Sequence, residues 1–307
     1  MRAITYSRYG GSDVLELTEQ PTPKVGPDTV LVRVRAASVN PVDWKVRQGY
    51  LDPIMDVHFP VVPGWDVAGV VERVGLDTPE YQVGDEVFGY VRTDWVHGGT
   101  FAEYVSAPVR TLARKPATLS FEEAAAVPLA GLTAYQSIRR SGVTAGQTVL
   151  VHAAAGGVGG FAVQVARALG ARVIGTASES NHAFLRDLGA EPVTYGDGLV
   201  ERVRALAPEG VDVVLDYGSP DAIATAPSLL RDGGTIASIV DAKARDELGG
   251  HYVWVRPDPA DLAALGALID EGKVRVEVAQ VFDLADAAAA HDASASGHVR
   301  GKVVVRV

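Results

Sequence analysis

The chain has 307 residues, enough for two cores, and its 47% hydrophobic and 21% charged residues are ordinary for a soluble globular enzyme. A formal net charge of −10 disfavours partners such as nucleic acid or an anionic membrane surface. The absence of cysteine excludes disulfides, thiolate metal sites and cysteine nucleophiles.

The first residues, from Met1 to Tyr6, read as a strand and not as a signal peptide, and no apolar run approaches the roughly 18 residues of a membrane span, so a cytoplasmic protein is expected. Residues 1–115 carry short β-rich runs broken by glycine and proline. Residues 29–36 alternate in strand fashion, and 69–75 and 85–90 are short strands bounded by glycines, which predicts an antiparallel, barrel-like domain. At Ser120-Phe121-Glu122-Glu123 a capping box opens an alanine-rich helix. Beyond it, strands near 148–152, 172–176, 191–194, 211–216, 234–239 and 251–255 alternate with helices near 158–169, 181–188, 198–207 and 220–230. That alternation implies an α/β fold, a doubly wound parallel sheet with helices on both faces. A helix near 258–271 and strands near 274–282 and 301–307 return to mixed structure. The expected division is a β-rich catalytic domain formed by residues 1–119 and 257–307, interrupted by a dinucleotide-binding domain over 120–256.

The segment from Val149 to Arg167 reads as a buried strand, a tight glycine turn and an amphipathic helix, an order that places backbone N–H groups and a helix N-terminus where a pyrophosphate sits. Against the dinucleotide fingerprint, Ala154 takes the first glycine position, Gly156 the second and Gly159 the third, so the backbone of Ala155, Gly156, Gly157 and Val158 is expected to meet the cofactor. An NAD site calls for Asp or Glu at the end of the second strand. Here Ala177 and Ser178 follow that strand and Glu179 comes two residues late, so NADPH is the expected cofactor. Ser178, His182 and Tyr195 are candidate donors to its 2′-phosphate, although His182 reads equally as an exposed helix histidine and Tyr195 as a strand-end aromatic. Ile239 and Val240, ending the fifth strand, are expected to approach the nicotinamide through backbone groups, because ligands sit at the carboxyl ends of parallel strands. His152, ending the first strand, reads as a packing residue.

Several motifs then agree in order along the chain: the stretch from Pro63-Gly64-Trp65-Asp66 to Gly75, Gly98-Gly99-Thr100-Phe101-Ala102-Glu103-Tyr104-Val105, Gly131-Leu132-Thr133-Ala134-Tyr135, the Gly156-Gly157-Val158-Gly159 turn, and Arg300-Gly301-Lys302-Val303-Val304-Val305. Together they resemble the medium-chain dehydrogenase/reductase superfamily, and within it the zinc-free, zeta-crystallin-like quinone oxidoreductase branch. The resemblance implies a GroES-like catalytic domain around a Rossmann domain, and a homodimer joined through the strand near 251–255. Zinc enzymes of the superfamily have cysteine where Asn40 stands and histidine and glutamate at Trp65 and Asp66; these are changed, and the spacing of Asp66, His58 and His97 supports no metal site.

Without zinc, the accessible hydride chemistry is reduction of an activated acceptor, with a hydrogen-bond donor for the oxygen that gains charge. The resemblance implies that Asn40 faces nicotinamide and substrate, that Tyr50 donates to the substrate oxygen, displaced by one residue from the family tyrosine, and that Thr133 lies near the nicotinamide. Read locally, Asn40 is also simply a turn residue before Pro41. Asp43 is expected to order its loop, and Trp65 and Trp254 to line a pocket or pack in the core. Three functions stay open: an NADPH:quinone reductase, an enoyl or alkenal reductase acting on the C=C bond of an enone, and a non-catalytic NADPH-binding structural or RNA-binding protein, against which the acidic balance argues.

Overall fold

The computed structural model describes residues 1–297 and 299–307. They form two compact units: Met1–Ala130 with Pro257–Asp270 and Val276–Val307, and Gly131–Arg256 with Glu271–Arg275. The capping box forms, with Glu123 N–H donating to Ser120 Oγ at 3.2 Å and Ser120 N–H donating to Glu123 Oε2 at 2.9 Å. Its helix, Phe121–Ala125, nevertheless belongs to the first unit, because Ala124 and Ala125 are buried and the helix packs on strands Thr29–Val39 and Asp66–Val74. The composition changes at Ser120, whereas the units divide inside the next helix, Pro128–Arg140.

The first unit is built on a sheet ordered Val278–Asp283, Lys302–Arg306, Thr29–Val39, Asp66–Val74, Glu86–Tyr90 and Leu112–Arg114, with Tyr104–Pro108 also paired to Thr29–Val39. All its pairings are antiparallel except the first, Val278–Asp283 with Lys302–Arg306. Strand Thr29–Val39 is long and mostly buried because it is paired on both sides. Val30, Val32 and Val34 reach one valine-rich core with Val67, Val71, Val87 and Leu112. Its register sets Ser38 opposite Asp66 and Val39 opposite Val303, so residues distant in sequence meet at one strand end.

The second unit holds six parallel strands in the order Glu191–Val193, Arg172–Thr176, Thr148–Val151, Val211–Asp216, Leu230–Ser238 and His251–Tyr252. Numbered within the unit this is 3-2-1-4-5-6, the doubly wound order, and its switch point lies between Thr148–Val151 and Val211–Asp216. The central strands are almost wholly buried, which is why they read as continuous apolar runs rather than alternating ones. Helices Gly159–Ala168, His182–Asp187, Leu199–Leu206 and Ala222–Leu229 fall where the pattern predicts them. The expected strand over 251–255 shortens to His251–Tyr252, with Val253 N–H still bonding to Ser238 O at 2.9 Å. Among the described residues no helix is long and apolar enough to cross a membrane.

Candidate active site

Within the second unit, strand Thr148–Val151 runs into the glycine turn and then into helix Gly159–Ala168. Ala153 N–H donates to Thr176 Oγ1 at 3.1 Å, Ala154 N–H to Thr176 O at 3.0 Å, and Gly156 N–H to Ala153 O at 3.0 Å. The N–H groups of Ala155, Gly157 and Val158 follow, on the stretch that leads into the helix N-terminus. Donors so placed at the mouth of a helix suit a diphosphate. A Cβ on Gly159 would lie 2.2 Å from Ala153 O and 2.6 Å from Ala154 Cα, whereas one on Gly156 would meet only Ala153 O, at 3.2 Å. The turn therefore closes most tightly at Gly159 and stays open at Gly156.

The residue in the left-handed region is Ala153, at φ +52°, and not Ala154, which aligns with the first fingerprint glycine. The left-handed residue thus stands immediately before the first fingerprint position. A left-handed alanine is strained by about 1–2 kcal/mol, while glycine gives back about 0.4–1 kcal/mol through unfolded-state entropy. Ala153→Gly is therefore expected to leave stability unchanged or raise it by up to about 1.5 kcal/mol. Denaturant unfolding checks this; a clear loss of stability would contradict the strain.

At the end of strand Arg172–Thr176, Ala177 is buried and its N–H donates to Val193 O at 3.0 Å. Ser178 Oγ lies 3.0 Å from Ser180 Oγ and accepts from Asn181 Nδ2 at 3.2 Å. His182 opens helix His182–Asp187 half-buried, and its Nε2 is buried without a partner. Tyr195 is exposed beyond strand Glu191–Val193. Ser180, Asn181 and Arg202 escape the sequence reading. The Arg202 guanidinium donates to Thr194 O through Nε at 3.0 Å and Nη2 at 2.8 Å, which sets a cation beside Tyr195. No motif marks Arg202, a single arginine inside an otherwise unremarked helix.

At the switch-point edge, Ile239 N–H donates to Asp216 O at 3.2 Å and Val240 N–H to Ser238 Oγ at 3.1 Å, with Val240 itself exposed. Thr133 is buried in helix Pro128–Arg140, its carbonyl accepting from Ser137 Oγ at 2.6 Å. The His152 ring is fully buried with neither nitrogen bonded, and burial pushes its pKa down, as suits a packing residue. Trp254 is partly exposed.

In the first unit Asn40 ends strand Thr29–Val39 and caps helix Pro41–Arg47. It is only 1% exposed and its amide is committed on both sides: Nδ2 donates to Asp66 Oδ2 at 2.8 Å, and Oδ1 accepts from Lys302 Nζ. Asn40 therefore does not present a free carboxamide outward, as the resemblance implies. The strand register buries it against Asp66 and Lys302 instead. Ser38 Oγ donates to the same Asp66 oxygen at 2.8 Å, Leu129 N–H to the other at 2.8 Å, and Lys302 Nζ also to Val39 O at 3.2 Å. Asp43 orders the loop as expected, accepting Asn40 N–H at 2.7 Å. Burial raises the Asp66 pKa and lowers that of Lys302, and it pushes Asp43 up to about 7.

In this cluster sequence reasoning misses Ser38 and, with more consequence, Lys302. Its one signal is a lysine opening an otherwise valine-rich strand inside a family motif. Tyr50 lies apart from the cluster, 68% exposed in the turn after helix Pro41–Arg47. Trp65 is buried edge-on to Tyr90, their ring centroids 6.1 Å apart. His97 Nδ1 bonds to His58 O at 2.7 Å. Among the described residues no group of three or more His, Asp or Glu is placed to hold a metal ion.

Residues 26–117 match the alcohol dehydrogenase GroES-like domain family and residues 188–305 the zinc-binding dehydrogenase family. An NADPH-dependent alkenal/one oxidoreductase of Arabidopsis thaliana chloroplasts is 36% identical, over 99% of this chain and 79% of its own length. The solved quinone oxidoreductase of Coxiella burnetii is 35% identical with a TM-score of 0.89, covering 100% of this chain and 99% of its own. A mycobacterial protein solved in complex with NADPH is 31% identical with a TM-score of 0.85, covering 100% of both chains. The chain belongs to the zinc-free medium-chain dehydrogenase/reductase family, in its quinone oxidoreductase-like branch. It is an NAD(P)H-dependent oxidoreductase of that family, with a GroES-like domain and a Rossmann sheet.

Proposed function

We propose that the chain is an NADPH-dependent, zinc-independent reductase whose acceptor is a quinone. The observation that carries the cofactor half is the glycine turn, open at Gly156 and leading into a helix N-terminus, set beside a second strand that ends in Ala177 and Ser178 without a carboxylate. The N–H groups of Ala155, Gly157 and Val158 hold the diphosphate where Gly156 leaves room for it, and Ser178, His182 and Tyr195 hold the 2′-phosphate. Thr133, Ile239 and Val240 flank the nicotinamide. When bound, NADPH supplies a hydride; with one proton from solvent or a side chain, a quinone becomes a hydroquinone. Tyr50, exposed and able to exchange its proton with water, donates to the acceptor oxygen, while buried Asn40 orders the segment leading to it. Strand His251–Tyr252 pairs with its twin in a homodimer, which covers a sheet edge that is otherwise open.

A second reading, reduction of the C=C bond of an α,β-unsaturated carbonyl, is favoured by the relative named for alkenals and alkenones. It uses the same residues on a different acceptor. The cofactor assignment is tested by Ala177→Asp, which sets a carboxylate against the 2′-phosphate. The expected result is a loss of at least about tenfold in kcat/KM with NADPH and a relative gain with NADH, the size of one charge-assisted hydrogen bond. A wild-type preference for NADH would overturn it.

A further inference from the structure

Asp216 ends a strand that flanks the switch point and Ser238 ends the strand beside it; the two stand opposite each other in register and are both fully buried. Ser238 Oγ donates to Asp216 Oδ2 at 2.7 Å. The other carboxylate oxygen accepts the N–H of Gly218 at 3.0 Å and of Ser219 at 2.9 Å. Ser238 Oγ in turn accepts the N–H of Val240 at 3.1 Å and of Asp241 at 2.9 Å. Five hydrogen bonds on one carboxylate and one hydroxyl thus shape both turns leaving the sheet at its carboxyl edge. The bond from Ile239 N–H to Asp216 O adds a sixth tie between the same two strand ends.

The other bonds of these turns lie further along: Ala222 N–H to Ser219 O at 3.4 Å, Lys243 N–H to Asp241 Oδ1 at 2.9 Å and Ala244 N–H to Asp241 O at 3.3 Å. Gly218 sits at φ +139° with nothing near its Cα on the side-chain side, and Val240 is 51% exposed. A buried acidic side chain that accepts three hydrogen bonds and a serine that satisfies two backbone donors are ordered at low entropic cost, because both stand on the rigid ends of central strands. The same clamp spends the N–H groups of residues 239 to 241 inward.

We infer that Asp216 and Ser238 are positioning residues that set the two turns against the nicotinamide half of the dinucleotide. The inference rests on the reading of this edge as the cofactor site. Neither residue touches the cofactor; each acts by fixing backbone that does. Their effect is therefore on cofactor affinity, with little on turnover once the cofactor is bound.

The test uses the full chain with NADPH as the probe. Ser238→Ala is expected to raise the NADPH dissociation constant about tenfold or more, with kcat at saturating NADPH within about threefold of wild type. The Asp216→Asn exchange keeps an acceptor for Gly218 and Ser219 but cannot take the Ser238 hydroxyl on its amide nitrogen, so it is expected to weaken NADPH binding as well. The double variant should be no weaker than the worse single one, because both remove one unit. Without cofactor, hydrogen exchange at the amides of Val240 and Asp241 should quicken in Ser238→Ala. A folded variant with unchanged NADPH affinity, or fully multiplicative losses, overturns the inference. If Ser238→Ala does not fold, Asp216→Asn carries the same decision. A wild-type chain that binds no dinucleotide overturns the cofactor reading and the inference together, so the two failures are told apart.

Discussion

Gly159→Ala is expected to destabilise the chain by about 1–3 kcal/mol and to weaken NADPH binding by more than tenfold. Alanine in a helix ordinarily gains up to about 1 kcal/mol over glycine, so the sign itself is the prediction. The reversal comes from the close approach of the turn: the added Cβ would lie 2.2 Å from Ala153 O and 2.6 Å from Ala154 Cα. Both obstacles are backbone atoms. Ala153 is tied to Thr176 Oγ1 and Ala154 to Thr176 O, so relief requires the turn to leave the second strand. Moving the turn displaces the N–H groups of Ala155, Gly157 and Val158, and cofactor affinity falls with stability. Denaturant unfolding and NADPH titration measure the two effects. A stabilised Gly159→Ala chain would show that the turn is looser than described.

Asp66→Ala is expected to remove about 3–5 kcal/mol, because it strands the Lys302 ammonium and the Ser38 and Asn40 donors in a buried site. The pH dependence separates this from ordinary cavity formation. In the wild-type chain, burial, with a smaller push from Asp66, raises Asp43 to about 7. The folded chain then holds a proton at Asp43 that the unfolded chain has released above about pH 4. That stabilisation is complete below pH 4 and is lost as pH rises to about 7. Removing Asp66 takes away that push on Asp43 and an attraction that favours charged Lys302. The Lys302 pKa is already lowered by burial, so its folded value falls further below the ordinary lysine value. The unfolded state then binds more protons than the folded one, and stability rises with pH toward about 10. Between about pH 4 and 7 unfolding free energies should decline with pH less steeply in Asp66→Ala than in the wild type, and above that range they should climb more steeply. Parallel slopes would contradict the ion cluster.

The Rossmann half of the fold was nearly all legible, because its signals are local. Six apolar runs, the helices between them and one glycine turn each lie within a short window, whereas the order of the strands emerges only from their pairing. What the fingerprint does not carry is that Ala153, just before its first position, takes the positive φ. The first unit was legible as β-rich but not in its pairing, which is decided by long-range register. Asn40 shows why: before Pro41 it reads as a turn or cap residue, and its polar partners lie 26 and 262 residues away at Asp66 and Lys302. Lys302 itself, at the start of a strand of valines, has nothing local to mark it as buried. The clamp of Asp216 and Ser238 was hidden for the same reason, two common residue types that become a unit only when their strands pair.

The central claim is a zinc-independent reductase driven by NADPH. Its most direct test is the loss of reduced-nicotinamide absorbance with wild-type chain, a naphthoquinone or an alkenal as acceptor, NADPH against NADH, and a metal chelator present or absent. The account predicts turnover with NADPH and the quinone that the chelator leaves unchanged. Turnover confined to the alkenal would move the acceptor to the second reading. Turnover abolished by the chelator, or no oxidation of NADPH with either acceptor, would contradict the account.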